Sequence, residues 1–265
     1  GASEEALIGT VGLSLIPPKS ALWLNARGER IGPMPLVSGF DTRDLVARIS
    51  REPGGYSWQL LNRRIALKEL AVSGAEFNPA IRDGRRLRLA RELLIGNRWL
   101  FDELTRHSED IVQAATLPEL VERMNALSGD EVVDLRAVES AVAPYDAAIR
   151  RGERFHDDEQ LRRIAALRRW PGDRLRTCAF QPILDRRAGP LMAIREHVIS
   201  RKSLGGIETD LEGRVLGENG GAIPGLFAAG EAAGFGGGGM NGRRGLEGTF
   251  LGGCVFSGRI AGRNA

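Results

Sequence analysis

Ile223-Pro224-Gly225-Leu226-Phe227-Ala228-Ala229-Gly230-Glu231 is followed by Ala232-Ala233-Gly234-Phe235 and by four consecutive glycines, Gly236 to Gly239. Met240-Asn241-Gly242-Arg243-Arg244-Gly245-Leu246-Glu247-Gly248 then leads into Thr249-Phe250-Leu251-Gly252-Gly253. The apolar run from Gly225 to Ala229 reads as a strand and the segment from Gly248 to Arg263 as a helix, with a glycine-dense loop between them. Such a loop lets backbone amides approach a flat ligand and reach positive φ. A helix entry after Glu247-Gly248 presents unpaired N–H groups, which suit a carbonyl oxygen or an anion. Glu231, at the strand end, is a short reach from a polyhydroxyl chain over the sheet edge. The competing reading is a flexible glycine linker. The flanking strand and helix, and the side chains of Met240, Asn241, Arg243 and Arg244, argue against it.

Outward from this stretch, one pattern is missing. A dinucleotide-binding fold needs Gly-x-Gly-x-x-Gly between a first strand and helix, with an acidic residue ~20 positions on. Gly234 to Gly239 match those letters in part, but near the end of the chain.

With 265 residues, the chain has enough length for one large domain or two small ones. A formal net charge of +3 does not call for a nucleic-acid partner. Basic and acidic residues alternate, as in Arg82-Asp83-Gly84-Arg85-Arg86, the pattern of a solvated face. Cys178 and Cys254 form no Cys-x-x-Cys, and the histidines are only His107, His156 and His197. That argues against a disulfide scaffold and a zinc site. No apolar run reaches the length of a membrane span, and residues 1–16 lack the order of a signal peptide. The expected compartment is a reducing cytoplasm.

Ala21 to Ile31 reads as a β-hairpin turning at Arg27-Gly28. Phe40 to Asp44 leads into a helix with Leu45, Val46 and Ile49 on one face, capped by Asp41 or Thr42. Tyr56 to Leu61 is a strand. From Asn62 to Ile183 the chain reads as helical: a helix from Asn62 to Ser73 stopped at Gly74, and another over Leu87–Ile95 ending near Gly96. Thr116 and Glu119 form a capping box with Pro118 just inside. Asp134 caps a helix that Pro144 should kink, and Asp157 or Asp158 starts one more. The apolar stripes of these helices are core. After Leu191 the pattern returns to β, with Gly206 to Asp210 a strand, Leu211 to Arg214 a turn and Val215-Leu216 its return. Gly258 and Gly262, four apart, would let the last helix pack close to a strand.

The focal stretch resembles the C-terminal flavin-binding segment of the fumarate reductase/3-ketosteroid dehydrogenase superfamily, in the group described as FAD-binding dehydrogenases. Gly225-Leu226-Phe227-Ala228-Ala229-Gly230-Glu231 resembles that superfamily's G-L-[YF]-A-[AV]-G-E signature. The run Gly234 to Gly239, and Gly245-Leu246-Glu247-Gly248-Thr249-Phe250-Leu251-Gly252-Gly253, resemble the subgroup in order and length. Asn25-Ala26-Arg27-Gly28-Glu29-Arg30 is similar to the family's N-x-x-G-x-R hairpin. In that family the dinucleotide fingerprint precedes everything present here, so the resemblance implies a C-terminal fragment whose dinucleotide-binding half is missing.

The resemblance implies an α/β fold, α+β in this fragment: part of an FAD-binding flavin domain with an inserted α-rich cap. The implied division is 1–61 as flavin-domain portion, 62–185 as cap, and 186–265 as C-terminal flavin-domain portion. The implied cofactor is FAD, and the chemistry hydride transfer at the flavin. The cofactor-binding candidates are Gly230, Glu231 (for a ribityl hydroxyl), Gly245, Leu246, Gly248, Thr249, Phe250 and Leu251. N–H groups of Gly248 to Leu251 would face the flavin's pyrimidine edge and stabilise the negative charge of reduction, and Thr249 is a candidate helix cap.

Fumarate reductases carry His-Thr-x-Gly-Gly where this chain has Lys202-Ser203-Leu204-Gly205-Gly206, without a histidine. Their Asn-Arg-Leu-Gly-Gly matches Arg244-Gly245-Leu246-Glu247-Gly248, with the guanidinium one position back. Their cap arginine aligns near Asp158-Glu159-Gln160, where there is no arginine. Ketosteroid dehydrogenases use a tyrosine where Arg243 or Arg244 stands here. Arg201, Lys202, Arg243 and Arg244 are therefore the catalytic candidates, able to hold a carboxylate or enolate oxygen, and the motif leaves the acid or base unassigned. The expected parent is an FAD-dependent dehydrogenase of a ketosteroid-like or other cyclic ketone. The alternatives are fumarate reductase-like reduction of an unsaturated dicarboxylate, and a non-catalytic fragment that folds but does not bind FAD alone. The expected partners are a small-molecule substrate and the missing half, with no nucleic acid, metal or membrane span.

Overall fold

The computed structural model describes residues 15–32, 47–72, 77–129, 132–198, 206–234 and 249–265. In chain order the strands are β1 (Leu15–Ile16), β2 (Leu22–Leu24), β3 (Tyr56–Asn62), β4 (Ala71–Val72), β5 (Ile111–Ala114), β6 (Leu191–His197), β7 (Arg214–Leu216) and β8 (Ala222–Phe227). The α-helices are α1 (Arg63–Glu69), α2 (Pro79–Arg82), α3 (Arg86–Ile95), α4 (Arg98–His107), α5 (Leu117–Ser128), α6 (Leu135–Arg151), α7 (Glu159–Leu167), α8 (Pro171–Arg176) and α9 (Thr249–Asn264). This is mixed helix and sheet, as the sequence predicts. The chain divides into two compact units, residues 1–38 with 44–198, and residues 39–43 with 199–265.

The first unit is built on an antiparallel sheet of order β2-β3-β6-β5. β3 lies inside it and buries every residue after Tyr56. Leu22, Leu60, Ala193 and Val112 stand opposite one another on one face. Alternation on a pleated strand puts Trp23, Gln59 and Ile194 on the other. The hairpin after β2 forms as expected: Asn25 N donates to Glu29 O at 2.8 Å and Ile31 N to Trp23 O at 2.8 Å. Asn25 Oδ1 accepts from the amides of Arg27 (3.0 Å) and Glu29 (2.9 Å), which fixes the turn. Gly28 has φ +88°, and a Cβ there would stand 2.6 Å from Val138 Cγ2 of α6. The turn thus needs glycine both for its backbone and for its seat on α6.

Caps read from the sequence hold. Thr116 Oγ1 accepts from Glu119 N at 3.4 Å, and Glu119 Oε2 returns to the amide of Ala115 at 3.1 Å. Asp134 caps α6 through Arg136 N, and Asp158 caps α7 through Leu161 N. α6 continues through Pro144 to Arg151 as one helix, with Val138, Ala141, Val142, Tyr145 and Ala148 buried. Gly96, at φ +102°, ends α3.

Three elements differ from expectation, one of them the Gly206–Asp210 strand, of which only a Thr209–Val215 bridge forms. α1 stops at Glu69 rather than Ser73, and the chain straightens into β4, which pairs with β1. Glu69 is the cause: its buried carboxylate accepts from Ser20 N (2.9 Å), Ser20 Oγ (2.6 Å) and Cys178 N (2.7 Å). Three donors from two distant segments fix the last turn of α1, and Val72 beyond it is buried as a strand residue. The third difference is β5, a strand inside the block read as helical. Four residues are too few to display a period; pairing with β6 and the Asp110–Arg195 contact (2.8 Å) settle them as strand.

The Phe40–Asp44 lead-in lies outside the described residues; the helix it leads to is described over 47–49.

Candidate flavin site

The second unit contains the focal stretch. β7 and β8 form an antiparallel ribbon joined by a turn in which Gly217 N donates to Gly221 O (2.9 Å) and Gly220 N to Gly217 O (2.8 Å). β8 ends at Phe227, and residues 230–233 form a tight 3-10 turn closed by Gly234 N on Glu231 O at 2.9 Å. Gly230 enters this turn at φ +61°, where an L side chain is strained. Its amide donates to Ser257 Oγ of α9 at 2.9 Å, and Ser257 Oγ donates in turn to Gly253 O at 2.8 Å. A Cβ on Gly230 would stand 3.0 Å from Cys254 Sγ. The ribbon meets α9 a second time where Gly213, at φ +82°, lies under Ala261: an added Cβ would come within 2.9 Å of the Ala261 Cβ. Strand, turn and helix therefore form one piece, held at two glycines.

These contacts correct one expectation. The spacing of Gly258 and Gly262 predicts close packing of the last helix, yet a Cβ at either would meet nothing within 4 Å among the described residues. The close approaches are made by glycines of the ribbon, against Cys254 and Ala261 of the helix.

Of the predicted cofactor residues, Gly230 is buried in the turn, Glu231 is exposed immediately after it, and Leu251 is exposed in the first turn of α9. Thr249 and Phe250 open that helix. The first four amides of an α-helix have no partner within the helix, so the start of α9 offers donors, and a Cβ at Gly252 would meet only open space. A helix N-terminus is a fitting place for an electron-rich ring edge. Gly245, Leu246 and Gly248, and all four catalytic candidates Arg201, Lys202, Arg243 and Arg244, lie outside the described residues.

In the first unit, the positions matched to the family's cap arginine have another occupation. Asp158 and Gln160 hold Arg30 of the hairpin, through Asp158 Oδ2 at 2.5 Å and Gln160 Oε1 at 2.9 Å, with the guanidinium 5.3 Å from the Tyr145 ring centre. Gln160 Nε2 donates to Lys19 O (2.9 Å) and Ala21 O (2.7 Å), so this network pins the hairpin to α7.

One titratable group carries no signal in the sequence. Glu196 of β6 pairs in register with Ser57, which accepts a hydrogen bond from Trp23 Nε1 at 2.8 Å. The residue is half-buried, but its Oε1 is sealed from solvent and has no hydrogen-bond partner among the described residues. Burial raises its carboxyl to about 8. Only its position on an alternating strand facing polar Ser57 could have signalled it.

No group of His, Cys, Asp and Glu that could hold a metal occurs among the described residues, and none of their helices is long and apolar enough to cross a membrane.

Residues 16–251 match the family described as FAD binding domain. The chain is 45% identical over 257 residues to a "KsdD-like steroid dehydrogenase" of Mycobacterium tuberculosis (strain CDC 1551 / Oshkosh). That match covers 96% of this chain and 45% of the relative, so the chain spans about half the length of such a protein. Among solved structures, it is similar to a 3-ketosteroid delta1-dehydrogenase from Sterolibacterium denitrificans in complex with 1,4-androstadiene-3,17-dione, with TM-score 0.55 and 14% identity over 95% of this chain and 40% of that one. It is similar too to the open conformation of a flavocytochrome c3 fumarate reductase, with TM-score 0.51 and 20% identity over 98% of this chain and 33% of that one. These two likenesses concern the fold. With a family match over residues 16–251, the chain belongs to the FAD binding domain family.

Proposed function

We propose that this chain is the C-terminal part of a cytoplasmic FAD-dependent oxidoreductase that removes or adds hydrogens across a C–C bond of a ketosteroid-like or other cyclic ketone. The observation that carries the reading is the Gly230 turn, bonded to Ser257 and closed against Cys254, which leaves Glu231 exposed at the ribbon's end. The identity to a KsdD-like steroid dehydrogenase supports the substrate class.

The residues present fit FAD. Gly230 and Glu231 would hold the ribityl chain, the carboxylate accepting from a hydroxyl. The amides at the start of α9, with Gly245, Leu246, Gly248, Thr249, Phe250 and Leu251, would line the ring edge and favour negative charge there. FAD, when bound, supplies hydride transfer at its N5. Arg201, Lys202, Arg243 and Arg244 are the proposed substrate-facing cations, which orient a carbonyl or enolate oxygen. In this reading residues 1–61 and 186–265 are flavin-domain portions, 62–185 is the cap, and a dinucleotide-binding half completes the FAD site.

An absorption spectrum tests this. The expected result is that the chain alone stays colourless with added FAD, while the protein joined to a dinucleotide-binding half is yellow and responds anaerobically to a 3-ketosteroid. Turnover of fumarate in place of the ketosteroid would overturn the substrate class. A colourless joined protein would overturn the assignment of an FAD enzyme.

A further inference from the structure

α3 has an exposed face that neither the fold nor the flavin site uses. Leu87, Ala90, Arg91 and Leu94 follow at i, i+3, i+4 and i+7, one stripe of a helix, and all four are exposed. Leu87 keeps 90% of its surface, Leu94 65% and the adjoining Ile95 66%. No residue of α3 is buried. Yet the helix is firmly placed from its other side. Lys68 Nζ donates to Leu93 O (2.8 Å) and Leu94 O (3.2 Å), and Gly96 sits so close to α1 that a Cβ would come within 2.7 Å of Leu67 O. The stripe is thus a fixed surface.

Its charge is one-sided. Five arginines and two acids lie between Ile81 and Arg98. Both acids are engaged: Asp83 with Arg82 (2.9 Å) and Arg85 (3.3 Å), and Glu92 with Arg88 (2.8 Å). Arg86 and Arg91, which flank the leucines, have no acidic partner among the described residues. Apolar tips between unpaired arginines are the features of a helix lying in a bilayer interface.

We propose that the outer face of α3 docks this protein on the surface of an anionic lipid bilayer, Leu87 and Leu94 entering the acyl boundary and Arg86 and Arg91 meeting lipid phosphates. A second copy is disfavoured as occupant, because it would set these arginines against like charges. A nucleic acid would leave the central leucines without a partner, and α3 offers no aromatic ring for base stacking. The proposal does not rest on the enzymatic reading. Val255 and Phe256 of α9 are exposed and apolar too, and the test must distinguish them.

The test is co-sedimentation of the purified chain with vesicles of phosphatidylcholine alone and of phosphatidylcholine mixed with phosphatidylglycerol. Binding is expected only to the anionic vesicles and should weaken as salt rises. Arg86→Gln with Arg91→Gln should lower the partition coefficient about 30-fold, and Leu87→Ser with Leu94→Ser about tenfold or more. Circular dichroism would verify that both variants stay folded; as all four side chains are exposed, unchanged spectra are expected. Val255→Ser with Phe256→Ser should leave binding unchanged. Several outcomes would overturn the proposal: no vesicle binding, binding lost only in the α9 variant, or concentration-dependent dimers abolished by the leucine variant. So would retention of a duplex oligonucleotide in place of vesicles.

Discussion

The first unit completely buries Trp58, Leu60, Leu61, Ile65 and Met124 around its sheet, while the second buries, among its described hydrophobic residues, only Val215 and Ala261. The second unit instead exposes Ile223, Leu226, Leu251, Val255 and Phe256. Its shape comes from backbone: positive φ at Gly213, Gly225, Gly230 and Gly234, and hydrogen bonds such as Gly230 N to Ser257 Oγ. The first unit is specified by burial, with polar groups recruited to fix its corners. The second is specified by where side chains are absent. Apolar burial supplies most folding free energy, so the segment carrying the family motif is the less stable of the two, as binding segments commonly are.

The comparison breaks most readily on core deletions. Trp58→Ala should cost about 4 kcal/mol, by loss of transfer energy and an unfilled cavity. Val215→Ala, which removes two methyls from a thin core, should cost about 1 kcal/mol. Urea midpoints followed by far-UV circular dichroism would measure both. Equal costs would mean that the ribbon and α9 have a core of their own and that the contrast is wrong.

A pH series sharpens the same contrast, because the strongly shifted groups lie in the first unit. Burial raises Glu196 to about 8, and burial raises Asp146 as well, against two amide hydrogen bonds that lower it. A raised acid holds its proton more tightly in the folded state. Stability from Glu196 is therefore full below the ordinary glutamate range and is lost as pH rises from about 4.5 to about 8. The loss should be on the order of 5 kcal/mol at most, and Glu196→Gln should remove most of it. Asp146, which accepts from Ile183 N (2.7 Å) and Leu184 N (2.9 Å), leaves a smaller slope of the same sign. A variant that keeps the wild-type slope would show that Glu196 is not the sealed group.

In the second unit the matching experiment concerns a glycine. Gly230→Ala should cost about 2 kcal/mol locally, from the left-handed backbone and the crowding of Cys254. Hydrogen exchange should rise at the amides of 228–234 and in the first turns of α9, with β3 and β6 unaffected. Increased exchange across the sheet as well would show that the two units unfold together.

Much of this was legible in the sequence, for physical reasons that differ by element. The caps at Thr116, Asp134 and Asp158 are local chemistry, as is the Asn25–Gly28 turn, and a local pattern suffices to read them. The need for glycine at Gly230 was legible as part of a motif. Its partners, Ser257 and Cys254, were not, since they meet it only after α9 folds back across more than twenty residues. The early end of α1 was hidden for the same reason: Ser20 and Cys178, which claim Glu69, are 49 and 109 residues away. β5 escaped because a four-residue strand has no period to read. Glu196 escaped because its character comes from what covers it.

The spacing of Gly258 and Gly262 predicts a packing seam, and among the described residues no atom lies within 4 Å of a Cβ at either. That difference yields the smallest expected effect and a clean one. In a helix exposed at those positions, alanine removes the conformational penalty of glycine without a clash, so Gly258→Ala and Gly262→Ala should each stabilise by up to about 1 kcal/mol. The gain should appear as slower amide exchange along α9 rather than as a shift in the main unfolding transition, because α9 belongs to the thinly packed unit. The same pair of substitutions in a protein carrying the proposed dinucleotide-binding half would extend the test. A gain there as well would leave this face of α9 open. A loss would mean that the seam is real and that its strand comes from outside residues 1–265.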